Sequence, residues 1–422
     1  MKNDAQSQIS TSEENETVNR KMLRPAVAAT VAALVSLAPG HRASAATVTV
    51  KNDADIARPS ETVEVPWSDL EKGLPNNAKA DRVVVSDNSG KEIQAQPIYF
   101  NGQKKPAEML VFQADLGPGE SKTFTIKPGE PKPYEPKVFG RWVPERNDDF
   151  AWENDKVAFR IYGPTLEIVE PASSGVDTWQ KRTPNLVIDK WYQLAQSINS
   201  GYYHYDHGEG MDGYKVGHSQ GDGGTALWLD GKRFTTGIKG WKKWNVIANG
   251  PIRLIFDLTY DPIDVNGNSV RELKRITLDA GRHLNHFQST FTSDKADDKL
   301  QALAGLGEHQ DRPFEKQINK DKGWVTIWDA ADNPGEKKPT PDAPSGHVGV
   351  AVVMPASQVM DAFEAEHHLE LSTKLTPGQP VSFWAGSCWD KGGDFASYDD
   401  WNKYIDECAK RVASPLKVSV SQ

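Results

Sequence analysis

The sequence predicts an all-β protein, a small N-terminal β-sandwich followed by a large antiparallel β-supersandwich. Short runs in which apolar and polar residues alternate recur along most of the chain, and Gly, Pro, Asn and Asp turn signals separate them. Only one segment repeats its apolar residues at helical spacing. At 422 residues the chain exceeds what one hydrophobic core usually supports, so two domains or one large β architecture follow.

Residues 1–45 read as an export signal. Arg20, Lys21 and Arg24 precede the apolar run 26–37, Pro39 and Gly40 break it, and Ala43, Ser44 and Ala45 supply a small-residue cleavage pattern. The run is too short to span a bilayer. The expected mature chain begins near Ala46, in the periplasm or outside the cell, with no membrane partner. Residues 46–127 then alternate at Val48/Val50, Val63/Val65, 83–85, 98–100, 110–112 and Phe124/Ile126, which predicts the N-terminal sandwich. Four prolines in 128–137, PGEPKPYEPK, predict an extended linker. From 138 to 422 strands are predicted at 159–162, 186–188, 252–258, 275–278, 287–291, 325–328, 348–353 and 381–384. Trp401, Tyr404, Ile405, Cys408 and Val412 predict the one helix, ended by Pro415.

The formal net charge of −9 argues against nucleic acid, whose phosphates require basic patches. It would also repel an acidic glycan at long range, so such a ligand needs a locally basic cleft. Lys181, Arg182, Lys190, Lys215 and Arg312 are the candidates. Thirteen tryptophans offer flat apolar faces suited to sugar rings, although large β cores use them too. Trp179, Trp191, Tyr192, Trp228, Trp384 and Trp389 are the expected platforms. Cys388 and Cys408 are expected to be bridged or buried, the bridge being slightly preferred in an oxidising compartment.

The chemistry concentrates in residues 201–228, GYYHYDHGEGMDGYKVGHSQGDGGTALW. Three histidines, four tyrosines, three aspartates, one glutamate and eight glycines occupy 28 positions, a density of proton-handling groups that no ordinary core strand or amphipathic helix carries. Within it, GHSQG satisfies the GxSxG pattern of serine hydrolases. That elbow requires an apolar strand before it and a helix after it, and MDGYKV and DGGTALWLDGKRF supply neither, so Ser219 is not expected to be a nucleophile.

Abstraction of a proton next to a carboxylate, the first step of uronide β-elimination, needs a base, an acid for the departing oxygen and a cation to neutralise the carboxylate. His204 or Tyr205 is the expected base, Tyr202 or His218 the acid, and Arg182 or Lys215 the cation. Trp179, Lys181, Tyr192, Glu308, Arg312 and Trp389 complete the expected substrate site. A glycosidase pair drawn from Glu209, Asp222 and Glu308 is the alternative, but sequence gives no separation between carboxylates. Asp206, His207 and Glu209, with Glu308 and His309, carry ligand types for a divalent cation. Their spacing matches no standard loop, so no cofactor is expected.

The stretches DDFAWENDKVAFRIYGP (148–164), SGVDTWQKR (174–182), WYQ (191–193), YHYDHGEGMDGYKVGHSQGDGG (203–224), ANGPIRLIFDLTY (248–260), ITLDAG (276–281) and FWAGSCWDK (383–391) resemble a family of secreted bacterial proteins designated a domain of unknown function. Its members accompany pectin- and uronide-degrading genes. The family is similar to the galactose-mutarotase-like β-supersandwich of polysaccharide lyases, which implies the same fold for the second domain. The chain departs from the family pattern at Gln220 and Asp222, where a leucine and a small residue are expected, so the resemblance implies no catalytic role for Asp222. The sequence reading is therefore a secreted protein acting on an acidic polysaccharide such as pectin, most specifically a lyase. Its rivals are a glycoside hydrolase, a non-catalytic glycan-binding protein and, less favoured, a serine esterase.

Overall fold

A computed structural model describes residues 45–166, 175–237, 240–295, 297–332 and 344–421. Residues 1–44 of the predicted export segment lie outside them. Two sheets form the N-terminal sandwich. One orders its strands Lys417–Ser421, Ala46–Lys51, Ser121–Pro128, Val83–Ser86 and Glu92–Ile93; the other orders Arg58–Pro66, Met109–Leu116 and Ala95–Ile98. Alternation sends Val48, Val63, Val65, Phe112, Phe124 and Ile126 into one shared core, where the Phe112 and Phe124 rings sit 4.8 Å apart. Residues 129–137 carry no helix or strand before Val138–Val143.

One strand of this sandwich comes from the far end of the chain. Lys417–Ser421 pairs antiparallel with Ala46–Lys51, Val420 opposite Val48. The division at 138–422 assigned that segment to the second domain. Its sequence KVSVS alternates, but an edge strand's partner is a long-range choice that alternation does not specify.

The second region is built on a nine-stranded antiparallel sheet that runs from Trp241–Asn249 through Arg253–Tyr260, Asn268–Asp279, Leu284–Ser293, Pro380–Trp389, His347–Val353 and Trp324–Ala330 to Phe314–Asn319, with the short strand Ile263–Val265 paired to Asn268–Asp279 as the ninth. Two five-stranded sheets share its core. One contains Val138–Val143, Asp149–Asn154, Val157–Ile161, Val176–Lys181 and Gly210–Met211. The other contains Lys232–Thr235, Asp222–Leu229, Gln301–Gly307, His368–Lys374 and Val359–Ala365. A parallel bridge between Val176 and Gly221 joins the two smaller sheets. Phe150, Phe159, Phe256, Phe287, Phe383, Leu227 and Leu371 from all three sheets fill one apolar core, with Phe150 stacked on Phe256 at 4.2 Å.

The predicted C-terminal helix spans Tyr398–Ala413. Ser397 caps it by accepting from the Asp400 amide, and Trp401, Ile405 and Cys408 are buried. Residues 186–188, predicted as a strand, instead lead into the helix Ile188–Ser197, which buries Ile188, Trp191 and Tyr192 at helical spacing. No helix among the described residues is long and apolar enough to cross a membrane.

Cys388 and Cys408 are both buried free thiols in the cluster under the C-terminal helix, so the preferred bridge is not formed. Burial pushes both thiols above their ordinary range. A thiol reagent is therefore expected to label the native, unreduced protein slowly and to label two thiols per chain in denaturant without reductant. A disulfide would give none.

Candidate functional site

The outer face of the five-stranded sheet holding Val176–Lys181 is covered by the helix Ile188–Ser197 and the short 3-10 turn Tyr202–His204. Trp179 fills the layer between them, stacked 5.6 Å from Trp191 and 5.1 Å from Tyr203, with Tyr192 at 5.4 Å. Into this aromatic layer the sheet projects charge. Arg160 lies opposite Asp177 across two strands and donates to it, and also donates to Asp212 at 2.9 Å; Asp149 stands 3.9 Å away. Arg160 is 2% exposed and Asp149 and Asp177 are fully buried.

Burial raises the carboxyls of Asp177 and Asp212 above the usual carboxylate range, against the pull of Arg160. Asp149 is pushed up to about 6 for the same reason. Arg160 Nε and Nη1, Asp177 Oδ1, Tyr192 OH and Trp179 Nε1 are buried without a hydrogen-bond partner among the described residues. A network of this kind is retained at a cost in stability, as often occurs beneath functional sites.

His204 stands at its mouth. The half-exposed ring places Nδ1 3.4 Å from both the Oδ2 and the backbone oxygen of Asp212. Its Nε2 has no hydrogen-bond partner among the described residues. Burial first, and then the charge of Arg160, holds its pKa below the ordinary histidine value. The ring is thus neutral at neutral pH, and Asp212 favours the tautomer that keeps the lone pair on Nε2.

The loop after His204 is tied to the same sheet. Asp206 accepts from the Gly208 and Gly210 amides and from Arg182 Nη1 at 2.7 Å, while the Arg182 amide donates to Glu209 O. Gly210 has φ +129°, and a Cβ there would lie 2.0 Å from Gln180 O, so only glycine permits this strand to close on Lys181. The Arg182 guanidinium sits 5.7 Å over the Trp389 ring. Both line a cavity of about 270 Å³ that also contains Lys156, Lys181, His283 and Asp394. There Asp394 binds Lys156 at 2.8 Å and His283 Nε2 at 2.9 Å, and these partners hold its carboxyl well below the usual range.

Several sequence-predicted residues therefore meet. Tyr202, His204 and Tyr205 share one turn, Arg182 is fastened to their loop, and Lys181, Arg182 and Trp389 line the adjoining cavity. Others are corrected. Trp179 and Tyr192 are interior aromatics, and Lys181 is buried in an ion pair with Glu153, so none presents a free surface to a sugar. Trp191 is buried with them, and Trp389 is only 3% exposed. Arg312 is buried against Asp311, Asp332 and Ala330 O. Lys215 is exposed and lends its carbonyl to His309, whose other nitrogen faces Asp329.

Glu308 is occupied by Lys316 at 2.7 Å, and Glu209 by Lys190 at 2.7 Å. Asp222 is fully buried, opposite Leu306 of the neighbouring strand. His218 is exposed in a turn next to the strand Gln301–Gly307, where Gly307 donates to Gly221 O. Ser219 donates to Val216 O and accepts from the Gly221 amide, and the strand Asp222–Leu229 follows it rather than a helix. His207 stacks on Tyr202 at 4.0 Å, and no group of three His, Cys, Asp or Glu residues able to hold a metal forms among the described residues.

Sequence reasoning missed Arg160, Asp149, Asp177, Lys156, His283 and Asp394. Three of them, Asp149 in DFAWEN, Arg160 in VAFRI and Asp177 in VDTWQK, are charges in strands whose every residue is buried.

The fold and this site define an all-β supersandwich protein with a histidine- and arginine-bearing cleft. The chain belongs to the family described as "Domain of unknown function (DUF4861)", whose model matches residues 50–418. It is 32% identical over 383 residues to "Uncharacterized protein P7" of Formosa agariphila, covering 88% of this chain and 93% of that protein. Among solved structures it is similar to an alpha-mannosidase from Enterococcus faecalis V583, with a TM-score of 0.46, 9% identity, and coverage of 90% of this chain and 46% of the other. It is also similar to a protein in the glycosyl hydrolase family 38 from Enterococcus faecalis, with a TM-score of 0.47, 10% identity, and coverage of 90% and 47%. The chain spans about half the length of each of these two structures.

Proposed function

We propose that this protein is an exported enzyme that cleaves a uronate-containing polysaccharide by β-elimination, acting in the periplasm or outside the cell. The observation that supports it most is His204, a neutral, half-exposed imidazole with Asp212 at Nδ1 and an available Nε2, on a loop fastened to Arg182. In this reading Nε2 takes the proton from the carbon bearing the sugar carboxylate. The electron pair forms the new C=C bond, the C–O bond at the β position breaks, and the departing oxygen takes a proton from Tyr202 or Tyr205. Arg182, 41% exposed at its side chain, pairs with the carboxylate and stabilises the charge that develops during proton loss. The cavity beside it, with Trp389 beneath the guanidinium, accommodates the sugar ring.

The test is a panel of pectic, alginate, ulvan and glycosaminoglycan substrates, followed for ultraviolet-absorbing unsaturated ends and for reducing ends. Unsaturated products on one substrate are expected. Saturated reducing ends alone would replace this reading with hydrolysis, and retention of glycan without turnover would make the protein a binding module.

A further inference from the structure

The largest cavity among those described, about 690 Å³, shares no lining residue with the one beside Arg182. It is a groove whose walls come from the N-terminal strand Arg58–Pro66, the middle strands of the nine-stranded sheet and the C-terminal helix. The walls are fixed to one another. Gln96 of the small sandwich bonds three backbone groups at Ile252 and Arg253, and Arg253 pairs with both Glu64 and Asp279.

On the groove side of the sheet, Trp384 and its cross-strand neighbour His286 stack at 4.3 Å with planes 7° apart. Burial, and then the charge of Arg253, pulls the His286 pKa down to about 4, and Ser382 Oγ lies 2.6 Å from its Nε2, so the pair is an uncharged aromatic shelf. Trp384 is only partly buried, and its Nε1 has no hydrogen-bond partner among the described residues.

The groove's guanidiniums differ in how fully they are engaged. Arg253 meets Asp279 with two bonds of 2.6 and 2.7 Å. Among the described residues Arg411 has no carboxylate closer than 3.9 Å, donates to Ala57 O at a long 3.5 Å, and buries an Nε with no hydrogen-bond partner, although its side chain is only 10% exposed. Arg411 is therefore a desolvated cation with unused donor capacity. The carboxylates of Glu61, Glu64 and Asp279 intersperse acceptors among these donors, a lining matched to a polyhydroxylated ligand rather than to a bare anion.

We propose that this groove is a second, non-catalytic binding site for a carboxylate-bearing oligosaccharide, with one sugar face on Trp384 and its carboxylate on Arg411. The ligand class follows from the groove's own shelf, cation and acceptors, and does not depend on turnover at His204.

The test is titration calorimetry with oligomers of galacturonate, guluronate and glucuronate and with their carboxyl-reduced counterparts. The chain carries Arg182→Gln throughout, so that the active-site clamp does not contribute. Binding of at least one acidic oligomer is expected. Trp384→Ala is expected to weaken it at least about tenfold, and Trp384→Phe to restore most of it. Arg411→Gln is expected to weaken the acidic oligomer at least about tenfold and leave the reduced one unchanged. Absence of binding to every acidic oligomer, equal binding of acidic and reduced oligomers, or unchanged affinity in Trp384→Ala and Arg411→Gln with native unfolding midpoints would each overturn the proposal. Binding without cleavage by the unmutated chain would sink the proposed lyase activity and leave this site standing.

Discussion

Replacement of His204 by Ala is expected to lower the rate of unsaturated-product formation by about 10²- to 10⁴-fold, the usual contribution of a positioned general base. The fold should survive, because the ring is half-exposed and its contacts to Asp212 are long, at 3.4 Å. The unfolding midpoint in urea should therefore stay close to that of the unmutated chain. The pH profile gives a second readout. A base works when deprotonated, and burial together with Arg160 disfavours the protonated ring. The acid limb of kcat/KM should consequently fall below the ordinary histidine value of about 6.5, so that activity persists into mildly acidic solution. Arg182→Gln should reduce kcat as well as affinity, because the carboxylate it neutralises gains charge during proton loss. Ser219→Ala should leave the rate unchanged. Full activity in His204→Ala, or loss of activity in Ser219→Ala alone, would end the lyase reading.

Arg160→Met is expected to cost about 3–5 kcal/mol of stability, the range seen when one partner is removed from a buried ion cluster. The cost arises because Asp177 and Asp212 keep their desolvation while losing the cation that offsets it. Its pH dependence has a definite sign. Both carboxyls already titrate above their unfolded values, and without Arg160 they shift further up, so the native state holds more protons than the unfolded state. Stability then falls as pH rises from about 4, the unfolded carboxylate value, through the raised folded values. Urea unfolding of Arg160→Met should therefore show a larger loss at pH 8 than at pH 5. A loss below about 1 kcal/mol at both pH values would mean that Arg160 is not what holds these carboxylates.

The sequence by itself determined the local features of this protein. Alternation placed most strands of the N-terminal sandwich but fewer than half of those in the second region, and the i, i+3, i+4 pattern with Pro415 placed the helix Tyr398–Ala413. The dense His/Tyr/Asp/Gly segment located the turn that carries His204 beside the loop of Arg182. These signals are read within a few residues, where backbone preference and side-chain period act. Tertiary structure alone decided which segments face one another. It set Arg160 opposite Asp177, returned Lys417–Ser421 to the first sheet, buried Trp179 and Tyr192, and kept Cys388 and Cys408 as separate thiols. Pairing between distant strands follows from the burial of whole apolar faces and from the turns between them, so no short window of sequence contains the partner of an Arg160 or the destination of a last strand.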